Sequence, residues 1–175
     1  MSSTIFAKED QNYELAAYLE GKYLTFRLGV EEYGFQILKV RDIIELVDIT
    51  AVPQMPCYIK GVINHRGKSV PVIDLRTKFS LPQVKYTRQS CIIIMDVGGM
   101  VGTIVDSVQE VADISSDQIE PPPIGNDVNN EFVLGLARFR KNVKILLDID
   151  RVLEVDQWIQ DLPQVENIFS AGSVN

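Results

Sequence analysis

Histidine and cysteine are scarce in this chain: His65 is the only imidazole, and Cys57 and Cys91 are the only thiols among 175 residues. A single histidine excludes every mechanism that needs two. Two distant cysteines without a CxxC pair are too few for a disulfide framework or a thiolate zinc centre, so both are expected to be small residues buried in reduced form. No apolar run approaches the roughly 18 residues needed to cross a bilayer. The first residues, Met1 to Lys8, lack the basic start and apolar core of a signal peptide, so the cytoplasm is the expected compartment. GxxxxGK[ST], GxGxxG and HExxH are all missing, which removes the usual phosphate cradles and the zinc-protease helix. Basic residues are in the minority, 17 against 24 acidic, and the net charge of -7 disfavours nucleic acid and anionic membrane as partners.

What the chain does have is apolar residues, 46% of the total, enough for one core or two small ones. They are organised most clearly from Gly61 to Leu75. There an apolar run breaks on Asn64-His65-Arg66-Gly67-Lys68, resumes through Val70, Val72 and Ile73, and stops at Asp74. This is the pattern of a β-hairpin with a tight glycine turn and an arginine at its tip. Other strands are expected at Tyr23–Leu28, at Tyr33–Val40 after a turn at Gly29-Val30-Glu31-Glu32, and over the β-branched stretch Val40–Val47. Residues 1–21 form a tail with a short helical stretch. Pro53 and Pro56 mark a loop, Leu75–Phe79 a helical turn, and Pro82–Gln89 a polar linker. Gly98-Gly99 is a hairpin turn, and Ile114–Ile119 a helical turn with a serine or aspartate cap. Pro121–Pro123 is extended and Ile124–Glu131 a surface loop, while Val152, Val155, Trp158, Ile159 and Leu162 have the spacing of a C-terminal helix that Pro163 ends.

The second half repeats the first. Tyr23-Leu24-Thr25-Phe26 aligns on Cys91-Ile92-Ile93-Ile94, which also sets Gly34 on Gly102 and Val40 on Val108 without a gap. A small change of register then places Gly61 on Gly135 and Asp74 on Asp148. Such self-similarity predicts two related β modules of about five strands each, over residues 22–82 and 88–153, followed by a helix and tail at 154–175.

No catalytic constellation emerges. His65 stands alone on a hairpin tip, and neither Cys57 in its proline loop nor Cys91 in a strand is placed as an activated thiolate, so a hydrolase built on His65 with a cysteine or an aspartate is set aside. Asp74, Asp106, Asp148 and Asp150 follow apolar strands, where aspartate usually caps the next turn. A binding module is favoured over an enzyme.

Four stretches then carry a resemblance: FRLGVEEYGFQILKVRDI at 26–43, YIKGVINHRGKSVPVIDLRTKF at 58–79, MVGTIVDSVQEV at 100–111 and LGLARFRKNVKILLDIDRVL at 134–153. Together they resemble the CheW family of bacterial chemotaxis adaptors over residues 22–153. The resemblance implies an all-β fold of two tandem five-stranded SH3-like barrels with a short C-terminal helix. It also implies a scaffold without catalysis or cofactor, in the two-component pathway that couples the cytoplasmic tip of chemoreceptors to the regulatory domain of the histidine kinase CheA. An adaptor of another chemosensory pathway, such as one controlling pili, is the alternative. Nucleic acid is not an expected partner, nor is direct membrane insertion; the chain reaches the membrane-associated array through its partners. In the family's pattern, receptor contacts fall on Ile37, Val40, Gly61, Asn64, Arg66 and Val101, in a groove between barrels. Kinase contacts fall on Leu38, Arg41, Asp42 and Ile44, at the end of the first barrel. His65 stands where leucine is more usual before the arginine of this loop.

Overall fold

The computed structural model describes residues 14–122 and 132–154. Helical residues 14–19 (α1) lead into the hairpin β1 (Gly21–Leu28) and β2 (Glu31–Gln36), and a 3-10 turn at Ile37–Lys39 separates β2 from β3 (Val40–Glu45). The expected strand over Tyr33–Val40 is therefore cut short: its last apolar residues turn outward, with Leu38 82% exposed. β4 (Ile59–His65), β5 (Lys68–Asp74) and the helical turn α2 (Leu75–Lys78) follow. Then come β6 (Cys91–Asp96), β7 (Met100–Val105), β8 (Ser107–Ile114), β9 (Ile119–Glu120), β10 (Val133–Arg138), β11 (Val143–Leu147) and α3 (Ile149–Glu154). The loop at Ile124–Glu131 and the helical positions from Val155 onward lie outside the described residues.

The strands make two sheets, one of six in the order β8-β1-β2-β11-β10-β9 and one of five in the order β3-β6-β7-β5-β4. The residues group into two compact units accordingly, Leu38–Val108 holding the five-stranded sheet and Gln109–Val152 joining the residues up to Ile37 around the six-stranded one. This is not the expected arrangement of five strands from each half of the chain. The repeat is real at the level of hairpins, but the halves exchange them. Gly61 pairs with Val72 in β4–β5 as Gly135 pairs with Leu146 in β10–β11, and both ladders carry a bulge one step earlier, after Ile59 and after Val133. β11 then lies parallel to β2 with Leu146 beside Gly34, whereas β5 lies parallel to β7 with Val72 beside Gly102. Each hairpin of one copy thus completes the sheet begun by the other copy.

The capping aspartates are where the sequence puts them. Asp74 accepts from the Arg76 amide at 2.9 Å, and Asp148 from the Arg151 amide at 3.3 Å, each closing the first turn after its strand. Ser115 caps the 3-10 turn Ser116–Gln118 in a reciprocal box with Gln118. In the six-stranded unit, Leu19 and Ala16 of α1 pack with Tyr23, Ala112, Ile114, Ala137 and Leu146, and the Tyr23 hydroxyl donates to the Leu19 carbonyl at 2.6 Å. Burial pushes that phenol's pKa up. The core of the five-stranded unit is aliphatic, with Ile63, Val70, Val72, Ile92, Ile94 and Ile104 interdigitated.

Candidate functional site

The tip of the β4–β5 hairpin is a two-residue turn, because His65 pairs directly with Lys68. Arg66 and Gly67 both have positive φ, 52° and 79°, as a type I′ turn requires. Glycine suits that geometry, whereas arginine bears a steric cost there of roughly 1 kcal/mol. Asn64 steadies the turn, its Oδ1 accepting from the Gly67 amide at 3.1 Å. The result is a rigid platform from which Arg66 projects, 80% exposed along its side chain.

β3 and β4 are the two edges of the five-stranded sheet, yet a side-chain cluster links them. Asp42 of β3 binds its own neighbour through Oδ1, which accepts from the Ile43 amide at 2.9 Å. Its other oxygen, Oδ2, lies 3.2 Å from Arg66 Nη2 and 3.3 Å from His65 Nε2. The β3–β6 ladder carries a bulge between Val40 and Asp42, which bends the strand next to this cluster. Arg41, the residue at the bulge, donates to the Leu38 carbonyl at 3.2 Å and pairs with Asp96 at 3.6 Å. Arg66 and Asp42, placed on different partner faces by the family pattern, are therefore direct neighbours.

The remaining predicted residues divide by exposure. Leu38, Arg41, Asn64 and Arg66 are exposed, and Ile37, Val40, Asp42 and Ile44 are half-buried, with Ile44 packed on the aliphatic core. Gly61 and Val101 are buried, Val101 completely. Gly61 has a structural reason of its own: a Cβ there would stand 2.0 Å from the Thr50 carbonyl oxygen, and φ is +143°. The close approach is fixed by reciprocal backbone hydrogen bonds between Thr50 and Val62, each 2.9 Å. Gly61 and Val101 shape the strands that carry the exposed residues. Ile43 and Val47, exposed apolar positions on and just after β3, were not singled out from the sequence, because alternation in an edge strand does not reveal which side meets solvent.

Cys57 is exposed rather than buried, since the Pro53–Pro56 loop offers it no strand to pack under, and Cys91 is half-buried with its thiol pKa pushed up by burial. Two polar networks escaped the sequence reading. Arg76, buried in α2, holds Asp106 through two hydrogen bonds of 2.8 and 2.6 Å and donates to the Pro82 carbonyl at 2.8 Å. Tyr86 donates to Asp74 at 3.0 Å, so the linker is pinned by this bond as well as at Pro82, and Asp106 anchors Arg76. In the six-stranded unit, buried Glu32 accepts from Arg27, Gln109 and Asn142, and the Lys144 ammonium lies 3.8 Å from it, beside an open cavity of about 420 Å³. The hydrogen bond from Gln109 does most to hold the Glu32 carboxyl below its usual range, helped by Arg27 and Lys144 against the opposing effect of burial. Among the described residues no group of three or more His, Cys, Asp or Glu could hold a metal ion, and no helix is long and apolar enough to cross a membrane.

Comparison with known proteins agrees with this architecture. The family model described as the CheW-like domain matches residues 22–157. The chain is 38% identical to the chemotaxis protein CheW of Klebsiella aerogenes over 138 residues, covering 78% of this chain and 83% of the relative. It is 34% identical to the chemotaxis protein CheW of Bacillus subtilis over 129 residues, 73% of this chain and 81% of the relative. Among solved structures, the scaffolding protein TtCheW of Thermoanaerobacter tengcongensis superposes with a TM-score of 0.73 at 37% identity, covering 79% of this chain and 95% of that one. The fold is thus of the expected SH3-like class, although among the described residues neither sheet closes on itself through a backbone ladder. Matched by the family model over residues 22–157 and 38% identical to a relative of which it covers 83%, the chain belongs to the CheW-like domain family.

Proposed function

We propose that the protein is a non-catalytic chemotaxis scaffold that couples chemoreceptors to the histidine kinase CheA in signalling arrays. The observation that carries this reading is the family match over residues 22–157. Two features of the five-stranded unit support it. Arg66 is presented on a strained, rigid turn with its side chain 80% exposed, a fixed point from which a guanidinium can reach a partner. Leu38, Ile43 and Val47 add exposed apolar surface around β3, which is an edge strand of its sheet among the described residues.

The receptor tip is assigned to Arg66 with Asn64, Val40 and Ile37, and the regulatory domain of CheA to Leu38, Arg41, Asp42 and Ile44. The protein works in the cytoplasm and reaches the membrane-associated array through these partners. Chemical-shift mapping with a receptor-tip fragment and, separately, with the CheA regulatory domain tests both assignments. Arg66→Ala, at an exposed turn, should leave the amide spectrum folded and weaken the receptor-tip complex about tenfold. Unchanged binding by that variant, or no perturbation around the β4–β5 turn, defeats the receptor assignment.

A further inference from the structure

We infer that His65 is a positioning residue for Arg66: the two side chains compete for a single oxygen of Asp42, so that protonation of His65 releases the arginine toward its partner. The inference rests on the reading of Arg66 as a binding residue and names how that residue is regulated.

His65 and Arg66 face the same oxygen of the Asp42 carboxylate. Oδ1 is engaged by the Ile43 amide at 2.9 Å, which leaves Oδ2 to face Arg66 Nη2 at 3.2 Å and His65 Nε2 at 3.3 Å. Neutral imidazole offers Oδ2 an ordinary hydrogen bond at most, and the guanidinium then holds the charge-assisted one. Imidazolium changes the balance. The His65 side chain is 14% exposed and already packed, whereas that of Arg66 is 80% exposed and must give up the freedom of a long side chain to stay on the carboxylate. Of two cations sharing one anionic oxygen, the shorter and already ordered one loses less entropy, so protonated His65 offsets the charge of Oδ2 and weakens the hold of that oxygen on Arg66.

Among the described residues Asp42 is the carboxylate within ion-pair distance of Arg66. Lys68, directly across the hairpin from His65, is a cation. On the neighbouring strands Asp96 of β6 is occupied by Arg41 of β3 at 3.6 Å. Asp42 is thus the carboxylate through which a proton on His65 is felt by Arg66. Imidazole is also the side chain that changes charge between about pH 5 and 8.

The test follows the protein alone first. The Arg66 side-chain Nε resonance and the His65 ring resonances are recorded by NMR from pH 5.5 to 8. Arg66 is expected to titrate in step with the His65 ring in the wild type and to stay flat in His65→Gln, which keeps a neutral side chain of similar reach. In Asp42→Asn the Arg66 response should vanish as well. An Arg66 resonance that ignores pH, or that moves equally in His65→Gln, overturns the inference. A receptor-tip fragment is then titrated at pH 6 and pH 8. The wild type should bind about two- to threefold more tightly at the lower pH, the size of one exposed ion pair, with no change in His65→Gln. Equal pH responses in both proteins overturn the role of His65 in binding. Coupled titration without fragment binding at either pH supports the His65–Asp42–Arg66 linkage and removes the receptor reading instead.

Discussion

Gly61 has a structural requirement that any role in binding would have to respect. Its position is buried with positive φ, and a Cβ added there would stand 2.0 Å from the Thr50 carbonyl oxygen, which leaves no space for a methyl group. Gly61→Ala is expected to destabilise the protein by about 3 kcal/mol, read as a lower midpoint in urea unfolding. Glu32 makes a different kind of prediction. Its carboxyl is held below its usual range in the folded protein, chiefly by Gln109, so its contribution to stability is present above the unfolded-state value and is lost as pH falls through the folded one. Between about pH 5 and 3 the wild type should therefore lose stability more steeply than Glu32→Gln, which is expected to be the weaker protein at pH 7 and to show the flatter acid profile in thermal melts.

At the level of elements, the hairpins were readable because their cues are local. The β4–β5 turn follows from Asn64, Arg66 and Gly67 between two alternating apolar runs, and the caps at Asp74 and Asp148 follow from an aspartate that ends a strand. The strain at Arg66 was not readable, since a conformation with φ of +52° is imposed by a two-residue loop and not by arginine itself. Arg66→Gly should accordingly raise stability by about 1 kcal/mol while weakening any complex that uses the guanidinium. Thermal melts beside fragment titration measure the two effects, and a loss of stability in this variant would count against strain at the turn. The Asp42–His65–Arg66 cluster was hidden for a related reason: each residue was visible in its own strand, but their meeting depends on the two edge strands of one sheet coming together.

For the whole molecule, the exchange of hairpins between the two copies has a direct consequence. A chain divided in the linker at residue 85 separates β1–β5 from β6–β11, and each sheet then lacks strands that the other fragment carries. Neither fragment can pair β2 with β11 or β5 with β7 by itself. Each is expected to be unfolded alone by circular dichroism and amide NMR, and to regain the native spectrum when the two are mixed. A stable first fragment would contradict this account, because independent folding requires the tandem arrangement that the topology replaces.

The sequence by itself determined the elements and the family. Two-residue alternation, glycine turns, capping aspartates and the repeated hairpin are short-range properties written in neighbouring residues. Tertiary structure decided which hairpin completes which sheet, which carboxylate Arg66 shares, and that Arg76 and Tyr86 pin the linker. Matched copies carry the same apolar pattern, so that pattern is satisfied equally by partners within a copy or between copies. Only the packing of parallel strands remote in sequence, with Gly34 beside Leu146 and Gly102 beside Val72, distinguishes the two.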